Sequence, residues 1–158
     1  MTDALPYRPC AGIMLVNRAG QVFVGQRIDT TLEAWQMPQG GIDPGEDART
    51  AALRELGEEV GVALDQVEVI AEAPEELFYD LPPELIGKVW KGRYRGQRQR
   101  WFLLRLIADD GAIDIATPHP EFRAWRWIDP AELPALAVPF KRALYTQLLE
   151  MFGTHLSV

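Results

Sequence analysis

Gly40-Gly41-Ile42-Asp43-Pro44-Gly45-Glu46-Asp47-Ala48-Arg49-Thr50-Ala51-Ala52-Leu53-Arg54-Glu55-Leu56-Gly57-Glu58-Glu59-Val60-Gly61-Val62 is the stretch whose reading decides the fold. Asp43-Pro44-Gly45 has turn chemistry. Ala48 to Val60 reads as a helix, with Asp47 as its N-cap and Gly61 as its C-terminal stop. On that helix Glu55, Glu58 and Glu59 stand at i, i+3 and i+4, which puts three carboxylates on one face. Ala52, Leu53, Leu56 and Val60 form an apolar face that can pack on a sheet. Glu46 precedes the helix and can fold back toward the acidic face. Glycine inside a helix costs roughly 1 kcal/mol, so Gly57 is read as permitting close approach of another segment.

Like charges at i, i+4 repel by about a few tenths of a kcal/mol. Clustering three of them becomes worthwhile when a divalent cation sits among them. Mg²⁺ is hard and prefers oxygen, and it takes a few carboxylates together with water and substrate phosphate. The bland reading is a solvated acidic face with Arg54 paired to Glu58.

Outward from this stretch the chain alternates strands and helices without a regular βαβ repeat. Ala11 to Val16 reads as a buried strand, Asn17 to Gly20 as a turn, and Val22-Phe23-Val24 as the start of a returning strand. Trp35-Gln36-Met37 is a short extended piece stopped by Pro38. Val67 to Ala71, Trp101 to Leu106 and Trp125 to Ile128 read as further strands, and Asp129-Pro130 starts a helical turn. Prolines and glycines between Pro74 and Gly96 suggest a long, irregular excursion of functional rather than idle character. Leu144, Leu148, Met151 and Phe152 have helical spacing within 140–152 and argue for a C-terminal helix on the sheet. The expectation is an α/β protein, a mixed sheet sandwiched between helices, forming one domain over residues 1–158 with its core at about 7–152.

The chain has 158 residues, 47% apolar and 25% charged, with a net charge of −7. This is ordinary for a soluble globular protein. No apolar run approaches the roughly 20 residues of a membrane span, and Met1 to Pro6 does not read as a secretory signal. Cys10 is the only cysteine, so no internal disulfide forms and no disulfide-linked partner is expected. A reducing cytoplasm suits this composition. Two histidines and one cysteine cannot build a structural zinc site, so any metal is held mainly by oxygen. A globally acidic chain is poorly suited to coating nucleic acid non-specifically. Yet Lys88 to Arg105 carries seven basic residues and no acid. Such a strip suits a polyphosphate substrate, and equally a solubilising strand edge.

Gly40, Glu46, Arg54, Glu55, Leu56, Glu58, Glu59, Gly61 and Val62 match the pattern Gly-x5-Glu-x7-Arg-Glu-U-x-Glu-Glu-x-Gly-U, with U bulky and apolar, at all nine constrained positions. This resembles the Nudix box, here residues 40–62. The resemblance implies the Nudix fold, an α/β/α sandwich, with Glu55, Glu58 and Glu59 as metal ligands and Glu46 and Gly40 as further ligand positions. It also implies Mg²⁺ as cofactor, with Mn²⁺ or another divalent cation able to substitute. Tyr7-Arg8-Pro9, Trp35 to Ile42, Gly96 to Leu104 and Phe140-Lys141-Arg142 are similar to bacterial RNA pyrophosphohydrolases and to diadenosine tetraphosphate hydrolases. This likeness runs from about Tyr7 to Phe152 and is weakest from Leu81 to Tyr94. It implies phosphoanhydride hydrolysis on 5′-triphosphorylated RNA or dinucleoside polyphosphates. Arg8, Arg27 and Lys141 then bind substrate, Phe140 stacks on a base, and Glu121 is an acid outside the box that acts as ligand or base. Arg54 is grouped with the catalytic glutamates Glu55, Glu58, Glu59 and Glu121. Tyr79 and Trp90 are weaker stacking candidates, and His119 is not needed as a base because metal acidifies water. The competing readings are a hydrolase of damaged nucleoside triphosphates or ADP-ribose, and a non-catalytic nucleotide- or RNA-binding module on the same fold.

Overall fold

Continuous apolar runs, buried on both faces, mark the two strands that share the centre of a seven-stranded mixed sheet. In the computed structural model, which describes residues 5–28, 34–88, 90–118 and 120–156 and only the backbone of residues 90 and 140, strand β1 (Tyr7–Val16) runs parallel to β6 (Gly96–Leu106) over ten residue pairs. Around this pair stand β2 (Val22–Arg27), β3 (Gln39–Gly41), β4 (Val67–Glu72), β5 (Leu77–Asp80) and β7 (Phe122–Ile128). The main order is β4-β6-β1-β2-β7, with β3 on β1 and β5 on β6, and every pairing except β1–β6 is antiparallel.

Alternation sorts the side chains into two cores. Ala11, Ile13, Leu15, Phe102 and Leu104 face helix α1 (Ala48–Val60), which contributes Ala51, Ala52, Leu56 and Val60. Met14, Val16, Trp101 and Leu103 face the short helix α2 (Leu133–Leu136) and the longer α3 (Arg142–Leu156), which contributes Leu144, Tyr145, Leu148 and Phe152. The expected α/β/α layering is therefore present. α1 has the bounds read from sequence: Asp47 accepts a hydrogen bond from the Thr50 N–H at 2.7 Å, and Gly61 closes the helix in the left-handed conformation at φ 76°. The C-terminal helix starts at Arg142, two residues later than the span 140–152 read from its spacing, because Pro139–Lys141 forms a separate 3-10 turn.

Two expectations are corrected. The span from Pro74 to Gly96 is not wholly irregular, for Leu77–Asp80 pairs with β6 as an edge strand and Pro83–Leu85 and Trp90–Gly92 form 3-10 turns. Gly57 does not serve a close approach: a methyl there meets only the Val62 carbonyl at an ordinary 3.6 Å. The glycine that does serve one is Gly12, directly opposite Trp101 on β6, where any Cβ would overlap the indole. Trp101 in turn packs edge-on against Tyr145 of α3, with ring centroids 6.2 Å apart.

The Tyr145 hydroxyl accepts the Met37 N–H at 2.9 Å in the buried interior. This bond ties α3 to the segment that leads into β3. Tyr145→Phe removes the acceptor and leaves a buried N–H unpaired, which costs about 1–3 kcal/mol. Urea denaturation is expected to show a loss in that range; a loss below about 0.5 kcal/mol means the N–H finds another acceptor.

Candidate active site

The acidic face of α1 does not sit uniformly in solvent. Glu58 is exposed, Glu55 is mostly covered, and Glu59 is 5% exposed. Helical geometry explains the gradient, since Glu59 lies one residue from Glu58 and on the flank turned toward β3. There the Gln39 N–H donates to Glu59 Oε2 at 3.2 Å. Burial, then the nearby charges of Glu55 and Glu121, push the Glu59 carboxyl well above the usual carboxylate range. Burial also raises Glu55.

Arg54 organises the outer side of this cluster. Its Nε and Nη2 donate to the two oxygens of Glu46, each at 2.9 Å. Nη2 also donates to the Gly41 carbonyl at 2.9 Å, and Nη1 to Glu55 at 2.9 Å and Glu58 at 3.3 Å. All five N–H directions of a guanidinium thus have protein acceptors. These bonds, with a further one from the Asp43 N–H at 3.0 Å, hold the Glu46 carboxyl down at about 2. Glu46 does fold back onto the helix, and the bland Arg54–Glu58 pair exists as one arm of a larger network.

Gly40 lies against Glu55, and a Cβ there would occupy the position of the Glu55 carboxyl group. The adjoining Gly41 faces Arg8, whose Nη2 would be 2.8 Å from an added Cβ. β3 therefore passes between the phosphate-binding candidate Arg8 and the carboxylates because it carries two glycines. A register shift in β2 at Gln26/Arg27 brings Arg27 toward the start of β7, with Nη2 3.5 Å from Glu121 Oε2 and the Ile28 N–H bonded to the Glu121 carbonyl at 2.9 Å. Lys141 is 7% exposed, with Nζ 3.4 Å from Gln36 Oε1 and 6.0 Å from the centre of the Tyr79 ring. The structure thus gathers Gly40, Glu46, Arg54, Glu55, Glu58, Glu59 and Glu121 at one end of the sheet, with Arg8, Arg27 and Lys141 around it. The side chains of Phe140 and Trp90, and the whole of His119, lie outside the described residues.

The donors suited to a hard cation are the carboxylates of Glu46, Glu55, Glu58, Glu59 and Glu121. Among the described residues, no three acidic, histidine or cysteine side chains stand close enough together to hold a cation as placed. Arg54 supplies the positive charge to Glu46, Glu55 and Glu58. The chemistry still fits a divalent ion at the inner end. Among the described residues Glu59 is a buried carboxylate with one backbone N–H for its several lone pairs, in the repulsive field of two others, and a cation relieves that cost.

The basic strip does not face this cluster as one free surface. Arg95 pairs with Asp80 at 3.2 Å, Arg98 with Glu76 at 3.6 Å and Arg100 with Glu72 at 2.6 Å. The acids lie on or beside β4 and β5, the strands flanking this part of β6. Sequence reasoning missed the opposite face of β6. Gln97 and Gln99 are each 1% exposed and lie on the side of Trp101. The alternation of Gln97, Gln99 and Trp101 with Arg98 and Arg100 carries that signal.

Residues 6–148 match the sequence profile described as NUDIX domain. The chain is 66% identical over 151 residues to an RNA pyrophosphohydrolase of Sphingopyxis alaskensis, covering 96% of each chain. Its fold is similar to the E. coli dihydroneopterin triphosphate pyrophosphohydrolase, with a TM-score of 0.72, 23% identity, and 92% of this chain and 98% of that one covered. It is also similar to the C. elegans Ap4A hydrolase, with a TM-score of 0.66, 25% identity, and 96% and 99% covered. The carboxylate helix, the glycine strand beside it and these likenesses agree: the chain belongs to the Nudix family of hydrolases.

Proposed function

We propose that this protein is a divalent-metal pyrophosphohydrolase that removes pyrophosphate from the 5′ end of triphosphorylated RNA. The observation that carries the reading is Glu59, buried beside Glu55 and Glu121 with a single hydrogen bond among the described residues. The name of the Sphingopyxis alaskensis relative supports RNA as the substrate class. A second reading, hydrolysis of dinucleoside polyphosphates, is favoured by the likeness to the C. elegans Ap4A hydrolase. The charged, metal-suited cluster argues against a non-catalytic binding module. A lone buried cysteine, and described helices none of which is long and apolar enough to cross a membrane, support placing the protein in the cytoplasm.

Glu55, Glu58 and Glu59 would hold Mg²⁺ or Mn²⁺, with Glu46, Glu121 and Gly40 as further ligand positions. Such an ion supplies Lewis acidity and orients water on the substrate phosphate. Glu55 or Glu121 takes the proton of the attacking water. A bond forms between the water oxygen and phosphorus, the anhydride P–O bond breaks, and pyrophosphate leaves a 5′-monophosphate end. Arg8, Arg27 and Lys141 hold phosphate oxygens, the arginines by a planar fork. Phe140 stacks on a base. Arg54, with every N–H engaged, acts as a positioning residue that aims Glu46 and Glu55 rather than touching substrate.

Mass analysis of products from triphosphorylated RNA, diadenosine tetraphosphate and ADP-ribose, with Mg²⁺ and with chelator, tests the assignment. RNA is expected to be turned over with the highest kcat/KM and only with metal; a preference for ADP-ribose overturns the reading. Glu58→Gln is expected to lower kcat at least about a hundredfold with an unchanged circular dichroism spectrum, because each 1.36 kcal/mol of lost transition-state stabilisation is tenfold in rate. A kcat within about threefold of wild type removes Glu58 from the site. Gly40→Ala drives a methyl into the Glu55 carboxyl, the far end of a flexible side chain, so the fold can yield cheaply there. It is expected to lower kcat/KM at least about tenfold while the melting temperature stays nearly constant, and retained activity would show that Glu55 can move without consequence.

A further inference from the structure

Trp101 Nε1 lies 2.7 Å from a terminal atom of the Gln99 amide. An indole N–H only donates, so that atom is Gln99 Oε1. The other terminal atom of Gln99 is then its NH₂ group. It stands 2.8 Å from the Gln39 amide and 2.6 Å from the Gln97 amide. Because it can only donate, both neighbours must present Oε1 to it. Three consecutive amide orientations follow from one indole N–H. The result is that Gln39 and Gln97 each keep a complete NH₂ group, two N–H donors apiece, for other acceptors. Among the described residues neither makes another side-chain hydrogen bond, although Gln97 is 1% exposed. Gln97 Nε2 is not among the sealed, partnerless side-chain atoms of the described residues, so its donors open onto accessible space where a ligand can supply the acceptor.

The surroundings identify what the acceptor is. On the sheet rungs Gln97 lies between Arg8 of β1 and Tyr79 of β5, and Gln99 between Cys10 and Leu77. Arg8 borders Gly41, Lys141 stands over Tyr79, and the Gln39 N–H holds Glu59. Two cations and two pairs of neutral donors lie on the α3 face, across β3 from the carboxylate cluster, a set that suits the oxygens of a phosphoryl group. We infer that Trp101 and Gln99 are positioning residues: their relay locks Gln97 and Gln39 as N–H donors to phosphate oxygens of the substrate. This rests on the proposed hydrolysis of a 5′-triphosphorylated RNA, and it names contacts and an orienting device for that same site.

The relay makes a test that leaves the contacting residues in place. A carboxylate at position 99 still accepts the Trp101 N–H but now accepts from its neighbours. Gln99→Glu therefore turns both amides around and aims carbonyl oxygens at an anionic substrate. Gln97→Met removes one donor pair directly. Each variant is expected to raise KM for a short triphosphorylated RNA at least about tenfold, the size of losing hydrogen bonds to a charged group, with kcat changed less than about threefold. The effect of Gln99→Glu is expected to shrink in the Gln97→Met background, because the share of it that runs through the Gln97 amide is already gone and only the share through Gln39 is left. Gln99→Met, which cuts the relay without adding charge, replaces Gln99→Glu if the latter melts well below wild type, and the same shrinkage is expected. Fluorescence anisotropy of the labelled RNA, without divalent cation, gives a second readout that turnover does not enter. Loss of RNA hydrolysis by the wild type would count against the proposed function and leave the binding comparison standing. KM and anisotropy within twofold of wild type for Gln97→Met, or fully additive effects at positions 97 and 99, would overturn the relay.

Discussion

β1 and β6 lie side by side and parallel over ten rungs although half the chain separates them. Parallel neighbours need a long crossover, and the crossover here holds β2, β3, the turn of the box, α1, β4 and β5. One face of the paired strands becomes the seat of α1, the other the seat of α3. The same rungs set the site. Arg8 is opposite Gln97, Cys10 opposite Gln99 and Gly12 opposite Trp101. A slip of one residue would exchange the faces, sending the glutamines into the α1 core and the arginines toward α3. Burial on both sides forbids it, so the packing of Ile13, Leu15, Phe102 and Leu104 is also what places the polar groups.

Arg54 solves a different problem, that of keeping acids together at the edge of this frame. Its bonds to Glu46, Glu55, Glu58 and Gly41 join the loop before α1 to the helix itself. The partners range from mostly covered to half-exposed, so solvent screens part of the attraction. The value of the network lies in geometry: a planar fork fixes where two carboxylates point. Glu59, deeper and outside Arg54's reach, is the member left with a repulsive environment. Organised acids outside and a frustrated one inside are an arrangement that favours function over stability.

Much of this was legible in the sequence, and the exceptions have physical causes. α1 carries its own boundaries in Asp47 and Gly61, which act within one turn of the chain, and its carboxylate spacing is a local property too. β3 is different, since Gln39-Gly40-Gly41 has no strand propensity. It pairs with β1 because two glycines let it pass between Arg8 and Glu55. β5 is four residues between prolines and exists by pairing with the edge of β6. The basic strip looked open because its partners, Glu72, Glu76 and Asp80, lie earlier in sequence and meet it only through cross-strand register.

The pairing of those arginines bears on how an acidic protein takes up a polyanion. With a net charge of −7, attraction over distance is weak or unfavourable, and recognition has to come from short-range contacts. Arg8 and Lys141 provide charge on the α3 side of the sheet, and Lys141 is almost fully covered. Adding further cations in so enclosed a place would carry a large desolvation cost. Neutral amides give directed N–H donors at a much smaller cost, and a relay anchored on an indole keeps them from turning around. The buried glutamines are therefore the complement of the locked arginines: one face of β6 spends its charges on holding the sheet edge, while the other offers dipoles whose direction the core has fixed.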